Sequence, residues 1–275
     1  MRAYKVLSLV PNFWKKLKAL PRSLHLGIAG ILFILMLSGI LLTYRMFQHV
    51  SDDDSRSQNF FIWSQGSHDE KQSLVTIQDE VCTDAPFLLP AEGFIGLLYA
   101  DTNGPYSANK RHQGIDIFSN AEPGVVPVYA AYDGYLTRQQ DWTSAVIIRI
   151  PDDPLNPGRQ IWTYYAHMAD HSTGESFIVD DFPQGTIEKF VKQGTLLGYT
   201  GNYNGSAVNS VWVHLHFSIV LDDGVGNYRN ELDFDNTVDS SRYLGMAVNV
   251  GCASDIPVCT DHPLCANVIN GDGGS

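Results

Sequence analysis

Acidic residues are absent from the first 45 positions of this 275-residue chain, and basic ones are scarce everywhere after them. The opening stretch carries seven Lys and Arg (Arg2, Lys5, Lys15, Lys16, Lys18, Arg22 and Arg45), while the remainder holds eleven against all 30 Asp and Glu. Nucleic-acid affinity comes largely from Lys and Arg neutralising phosphates, so an acidic body excludes DNA and RNA as partners. Helical periodicity is missing too. Outside one apolar run, no stretch longer than two turns repeats apolar residues at helical spacing. The HExxH motif, which places two zinc-binding histidines on one helix face, does not occur.

The apolar run itself spans Leu26 to Tyr44 without a charge. At about 1.5 Å per residue its 19 positions reach roughly 28 Å, close to the hydrocarbon thickness of a bilayer. Six basic residues precede it and Asp52, Asp53 and Asp54 follow. The positive-inside rule then predicts a single-pass anchor with a cytoplasmic N-terminus and the rest outside, in the periplasm or at the cell surface. A cleavable signal peptide would show a shorter apolar core and a small-x-small site, which LTYRMFQHV lacks. The four cysteines (Cys82, Cys252, Cys259 and Cys265) all follow the anchor, in the compartment where disulfides persist. Three pairings are open to them. The expected one joins Cys82 to Cys252 across the domain ends and closes a small loop with Cys259–Cys265.

Five segments result: a basic cytoplasmic segment 1–25, the anchor 26–44, an acidic polar linker or stalk 45–83, a folded domain 84–246 and a Cys-containing tail 247–275. Within the domain, short β-branched and aromatic runs alternate with Gly, Pro, Asn and Asp. Val126–Ala131, Gly134–Arg138, Ala145–Ile150, Gln160–His167, Thr195–Thr200 and Val211–Leu221 are the predicted strands. The expected class is mainly β, an antiparallel sheet domain behind one N-terminal transmembrane helix.

Nine histidines are present. His25, His49, His68, His171 and His262 lie in polar or flanking segments and read as ordinary exposed residues. His112, His167, His214 and His216 fall on or beside predicted strands in apolar surroundings, where an unpartnered ring would cost about 1–3 kcal/mol. In Val-His214-Leu-His216-Phe, strand alternation sends both imidazoles to one face and Val213, Leu215 and Phe217 to the other. His112-Gln-Gly-Ile-Asp116 adds a carboxylate. Residues four apart in a strand are about 13 Å apart, whereas two zinc donors lie within about 4 Å. The segment must therefore bend, and Gly114 is the residue expected to permit it. His112, Asp116 and one histidine of the pair make a His₂–carboxylate set, which leaves a position open as in catalytic zinc sites. His167 and the other histidine of the pair remain to move protons.

Taken in order, His112-x-x-x-Asp116, Tyr165-Ala-His167 and His214-Leu-His216-Phe217 resemble the three motifs of the lysostaphin/LytM peptidoglycan endopeptidases. Val126-Pro-Val-Tyr-Ala-Ala-Tyr-Asp-Gly134 and Lys192-Gln-Gly-Thr-Leu-Leu-Gly198 are similar to the family's intervening segments, and the likeness runs from about Gly93 to Leu244. The resemblance implies a duplicated-hybrid-motif β fold and one Zn²⁺ per chain bound by His112, Asp116 and His216. It further implies that His167 and His214 serve as general base and oxyanion stabiliser, with the division between them open. The implied activity is zinc-dependent hydrolysis of peptide bonds in bacterial peptidoglycan. A non-catalytic cell-wall-binding or regulatory module of the same fold is the alternative. Its signature, a substitution at His112, Asp116 or His216, is not seen. Two departures stand out: Asn204–Val213 replaces a short Ser/Thr-Gly-Pro lead into the last motif, and the loop 151–159 and stretch 169–185 are long.

Overall fold

The computed structural model describes residues 31, 33–40, 56–77, 85–206 and 209–251. The chain divides into two units, residues 1–55 and 56–275. In the first, residues 31 and 33–40 are helical with exposed side chains. No helix among the described residues is long and apolar enough to cross a membrane, and the rest of the 26–44 run lies outside them. The four cysteines also lie outside them, as do His25, His49 and His262.

The second unit is built on antiparallel sheet. Its strands are β1 (Phe94–Leu97), β2 (Ile115–Phe118), β3 (Pro127–Tyr129), β4 (Gly134–Thr137), β5 (Val146–Ile150), β6 (Ile161–Ala166), β7 (Lys189–Val191), β8 (Leu196–Tyr199), β9 (Gly201–Tyr203), β10 (Ser210–Leu221) and β11 (Thr237–Val238). Nine form one sheet in the order β1-β2-β10-β6-β5-β4-β7, with β9 and β11 also paired to β10, while β3 and β8 form a second. Each of the six predicted strands corresponds to an observed one within two residues at either end.

The centre of the sheet is β10, whose 12 residues reflect its Val-, Leu- and Ile-rich sequence. Alternation sends Leu215, Phe217 and Ile219 into the main core, where each is fully buried. Burial of such side chains stabilises the fold by about 1.5–3 kcal/mol apiece. The opposite face of the strand carries His214, His216, Ser218 and Val220. Val220 packs there against Trp162 and Ile147 in a separate cluster.

Residues 56–77, part of the segment read as a linker, are folded onto this body. Residues 56–65 form helix α1, and α2 (His68–Gln72) follows. Ser67 starts α2 with a capping box, its hydroxyl accepting from the Glu70 N–H while the Glu70 carboxylate accepts from the Ser67 N–H. Phe60 and Trp63, one helical turn apart on α1, pack against Phe94 and Phe118, and Thr76 bridges Gly93. The expectation that helical structure is confined to the apolar run fails here. The apolar residues of α1 are too few to display a period, and only the outer face of β1 and β2, which they bury, gives them a partner. At the other end, Ala247 and Val248 are buried and Asn249 bridges Tyr99, so the first residues of the predicted tail also belong to the body. Helix α3 (Ser241–Leu244) ends on Gly245 in the left-handed conformation.

Candidate metal centre

Strand register brings two of the predicted ligands together. β2 and β10 pair antiparallel with Asp116 directly opposite His216 and Phe118 opposite His214. Ile115 and Ile117 point into the core, so Asp116 faces the same side as the two histidines. His112 arrives from the turn before β2. Its Nδ1–H donates to the Leu98 carbonyl at 2.9 Å, which leaves the Nε2 lone pair directed at the other two. Gly114 serves this approach differently from the expected bend. Its backbone is not left-handed; instead a Cβ there would lie 2.2 Å from the Phe217 carbonyl oxygen, so glycine is required by lack of space.

The donor atoms converge. His216 Nδ1 is 2.8 Å from Asp116 Oδ1, His112 Nε2 is 3.2 Å from the same oxygen, and the two ring nitrogens are 3.1 Å apart. Three donors each about 2.0–2.1 Å from a tetrahedral zinc would be about 3.3 Å apart, so the set fits that ion with little movement. Among the described residues, His112, Asp116 and His216 are the group of buried donors able to hold a metal ion. Burial on its own would raise the Asp116 carboxyl, but in the metal-free site the charge of His112 and His214 when protonated, and the hydrogen bonds that protonated His112 and His216 donate, hold it well below the usual carboxylate range. Burial also lowers His216, in opposition to its hydrogen bond with Asp116, and this favours the neutral ring that a metal requires.

Two further rings flank the three ligands. His214 Nδ1–H donates to the Trp212 carbonyl at 2.6 Å, and its Nε2 lies 3.7 Å from Asp116 Oδ2. His167 follows the end of β6 in a left-handed conformation (φ 71°), and its Nδ1–H donates to the Tyr203 carbonyl at 2.9 Å. The ring centroids of His167 and His214 are 4.5 Å apart. Burial and the neighbouring His214 and His216 push His167 down to about 3, so it is neutral at pH 7. Both rings are therefore held as the same tautomer, with Nδ1 protonated and Nε2 free to accept. β9 closes tightly over this turn: a Cβ on Gly201 would lie 2.2 Å from the Ala169 carbonyl and 2.5 Å from that of His167.

All five predicted site residues thus meet on one sheet face. The residues that orient them were not legible beforehand. Leu98, Trp212 and Tyr203 act through backbone carbonyls, which carry no residue-type signal. Tyr106 stacks on the His112 ring at 4.4 Å from a loop with no motif. His68 accepts from Asn120 and His171 lies in a loop, and neither joins the site.

Clefts open on two sides. One of about 300 Å³ is lined by His167, Tyr164, Tyr203, Trp142, Asp141 and Glu231 among others. The other, about 400 Å³, runs along Lys110, Arg111 and Gln113 beside His112 and is closed by Asn230 and residues 232–235.

No family model and no curated protein matches the chain. Similar solved structures include the catalytic domain of the antimicrobial peptidase lysostaphin from Staphylococcus simulans, at 19% identity and a TM-score of 0.36, covering 54% of this chain and 90% of that one. A putative glycyl-glycine endopeptidase lytM from Ruminococcus gnavus is 25% identical over 55% of this chain and 53% of its own, with a TM-score of 0.33. A zinc containing peptidase from Vibrio cholerae is 17% identical over 51% of this chain and 36% of that one, with a TM-score of 0.30. The chain spans about half of the Ruminococcus protein and about a third of the Vibrio one.

Proposed function

We propose that this protein is a zinc-dependent endopeptidase of the lysostaphin/LytM type that hydrolyses peptide bonds of bacterial peptidoglycan. The observation that carries the reading is the meeting of His112, Asp116 and His216 within 3.2 Å of one another, beside two histidines whose free Nε2 atoms face the same space. A structural zinc site would close its coordination with a fourth protein ligand; here three donors converge and the fourth side is left to His214 and His167.

Zinc, held by His112 Nε2, Asp116 and His216 Nδ1, would act as a Lewis acid on a scissile carbonyl and lower the pKa of water. The chain's own residues do the rest. Trp212 and Tyr203 keep His214 and His167 in the tautomer that accepts a proton at Nε2. Whichever ring takes the proton from the attacking water becomes a donor at that same atom, able to return it to the leaving amine. The other ring can stabilise the tetrahedral oxyanion only in its protonated form, donating from Nε2 while Nδ1–H stays on its backbone carbonyl. The Leu98 carbonyl orients His112 and raises its basicity as a ligand. Phe118, at 5.1 Å from the His214 ring, and Tyr106 over His112 keep bulk water from the ligands.

We further propose that residues 26–44 anchor the chain as a single membrane span, with the domain on the outer face where peptidoglycan lies. The length of the apolar run and the basic residues before it support this reading. Protease protection in intact spheroplasts tests it, since a domain shielded from added protease would rule out an external site.

The central test is zinc content and cell-wall hydrolysis of the purified full-length protein. About one zinc per chain, with release of new amino termini from peptidoglycan, is expected. Stoichiometric zinc without hydrolysis of any cell-wall preparation would sink the peptidase reading.

A further inference from the structure

The two clefts beside the metal centre differ in charge. The cleft along the His112 loop is lined by Lys110 and Arg111 as well as Asp233 and Asp235, and is balanced. The cleft at His167 is lined by Asp141 and Glu231 and by no Lys or Arg. Neither carboxylate forms an ion pair among the described residues. Its walls are aromatic: Trp142 and Tyr164 meet edge to face at 6.1 Å, and Tyr203 stands beside them. Glu231 is half-buried, as are these three rings.

A second feature of the same cleft is independent of its charge. The Tyr164 hydroxyl lines the cleft and has no hydrogen-bond partner among the described residues, so its oxygen is available as an acceptor. Burial, and then the charge of Glu231, push both this hydroxyl and that of Tyr228 above the ordinary tyrosine range, which places the carboxylate near both phenols.

We propose that this cleft is a specificity subsite for a primary ammonium group carried by the substrate peptide beside the scissile bond. The inference rests on the peptidase reading, since it makes the cleft next to His167 a substrate-binding one. An ammonium group has three donors and no acceptor. Glu231 and the Tyr164 oxygen can accept from it, and the faces of Trp142 and Tyr203 attract a cation. A carboxylate placed there would be repelled by Glu231 and Asp141. An uncharged side chain filling the cleft would strip water from Glu231 and leave that charge unpaired.

The test uses two forms of one peptidoglycan-derived cross-linked peptide, one with its free side-chain amines and one with those amines acetylated, and the zinc-loaded full-length protein. The parent is expected to show kcat/KM about tenfold higher for the free-amine form. Glu231→Gln is expected to reduce that ratio to within about twofold, and Tyr164→Phe, which removes only the hydroxyl, to lower it partway. Equal rates on the two peptides in the parent would overturn the subsite, as would a ratio that survives Glu231→Gln. Should the parent cut neither peptide, the peptidase reading falls, and equilibrium binding of the same pair decides the subsite separately. Tighter binding of the free-amine form, lost in Glu231→Gln, upholds it; equal affinities overturn it.

Discussion

Arg56 of α1 is paired with Asp101, a carboxylate that has no exposed side-chain surface. Asp101 is also the hub of the turn that holds His112. Its carboxylate accepts from the backbone N–H of Leu98 and Asn103, and its carbonyl accepts the His112 N–H at 2.9 Å. Leu98 in turn receives the His112 Nδ1–H. A residue outside the β domain expected from the sequence is therefore joined through two hydrogen-bonded groups to His112, one of the proposed metal ligands.

Loss of that pair should act on the metal as well as on the fold. Arg56→Ala leaves a buried carboxylate without its counter-charge, a change that destabilises by about 3–5 kcal/mol in comparable pairs. Partners that orient metal ligands typically change affinity by about 10–100-fold, and a similar loss of zinc affinity is expected here. Chelator competition and urea unfolding measure the two effects. Lowered stability with unchanged zinc affinity would limit Arg56 to a structural part, while partial recovery in Arg56→Lys would support a charge-based one.

Ligand and proton-handling histidines should separate by metal analysis. His216→Ala and Asp116→Ala are expected to lose zinc and activity together. His167→Ala and His214→Ala are expected to retain zinc and lose about 10²–10⁴-fold in kcat. A His214 variant that binds no zinc would show that the ligand set has been assigned to the wrong member of the pair.

The metal-free protein should lose stability in mild acid. His167 and His216 have depressed pKa values in the folded state, so the unfolded chain takes up their protons first as pH falls. Their contribution is complete above the ordinary histidine range near 6.5 and declines below it, for His167 down to about 3. Each pH unit crossed with one extra proton on the unfolded chain costs about 1.4 kcal/mol. Asp116 is also depressed, but its contribution is lost only on passing below the usual carboxylate range. Urea unfolding between pH 7 and pH 4 in the presence of chelator measures the slope, and His167→Gln should flatten it. No change in slope would show that His167 is not desolvated in solution.

Gly114→Ala should be severe for a single methyl group. Its Cβ would meet the Phe217 carbonyl at 2.2 Å, backbone that cannot step aside without moving β10. A loss on the order of 2–4 kcal/mol is expected, with weaker zinc binding because His112 and Asp116 lie on either side. Thermal unfolding that shifts by less than about 2 °C would refute the steric account.

Much of the site was readable from local pattern. Strand alternation alone puts His214 and His216 on one face, and the runs between Val126 and Leu221 are bounded by turn residues such as Asp133–Gly134. α1 was not readable. Phe60 and Trp63 are two apolar residues in a polar segment, and their helix is held by Phe94 and Phe118 rather than by its own period. The Ser67-x-x-Glu70 capping box is a local sequence signal for α2.

What the sequence by itself determined is therefore the identity and facing of the chemistry: imidazoles two apart on a strand, a carboxylate four residues from a third imidazole, and a sheet to carry them. Only the tertiary structure decided how they meet, through the register that sets Asp116 opposite His216 and the carbonyls of Leu98, Trp212 and Tyr203 that select each tautomer. It alone also placed Arg56 against Asp101 and left Glu231 beside Tyr164. The physical reason is that side-chain direction along a strand follows from covalent geometry, within a few residues. Register, tautomer and ion pairing depend on groups as many as about a hundred positions apart, as Asp116 and His216 are, and these are neighbours only once the core has closed.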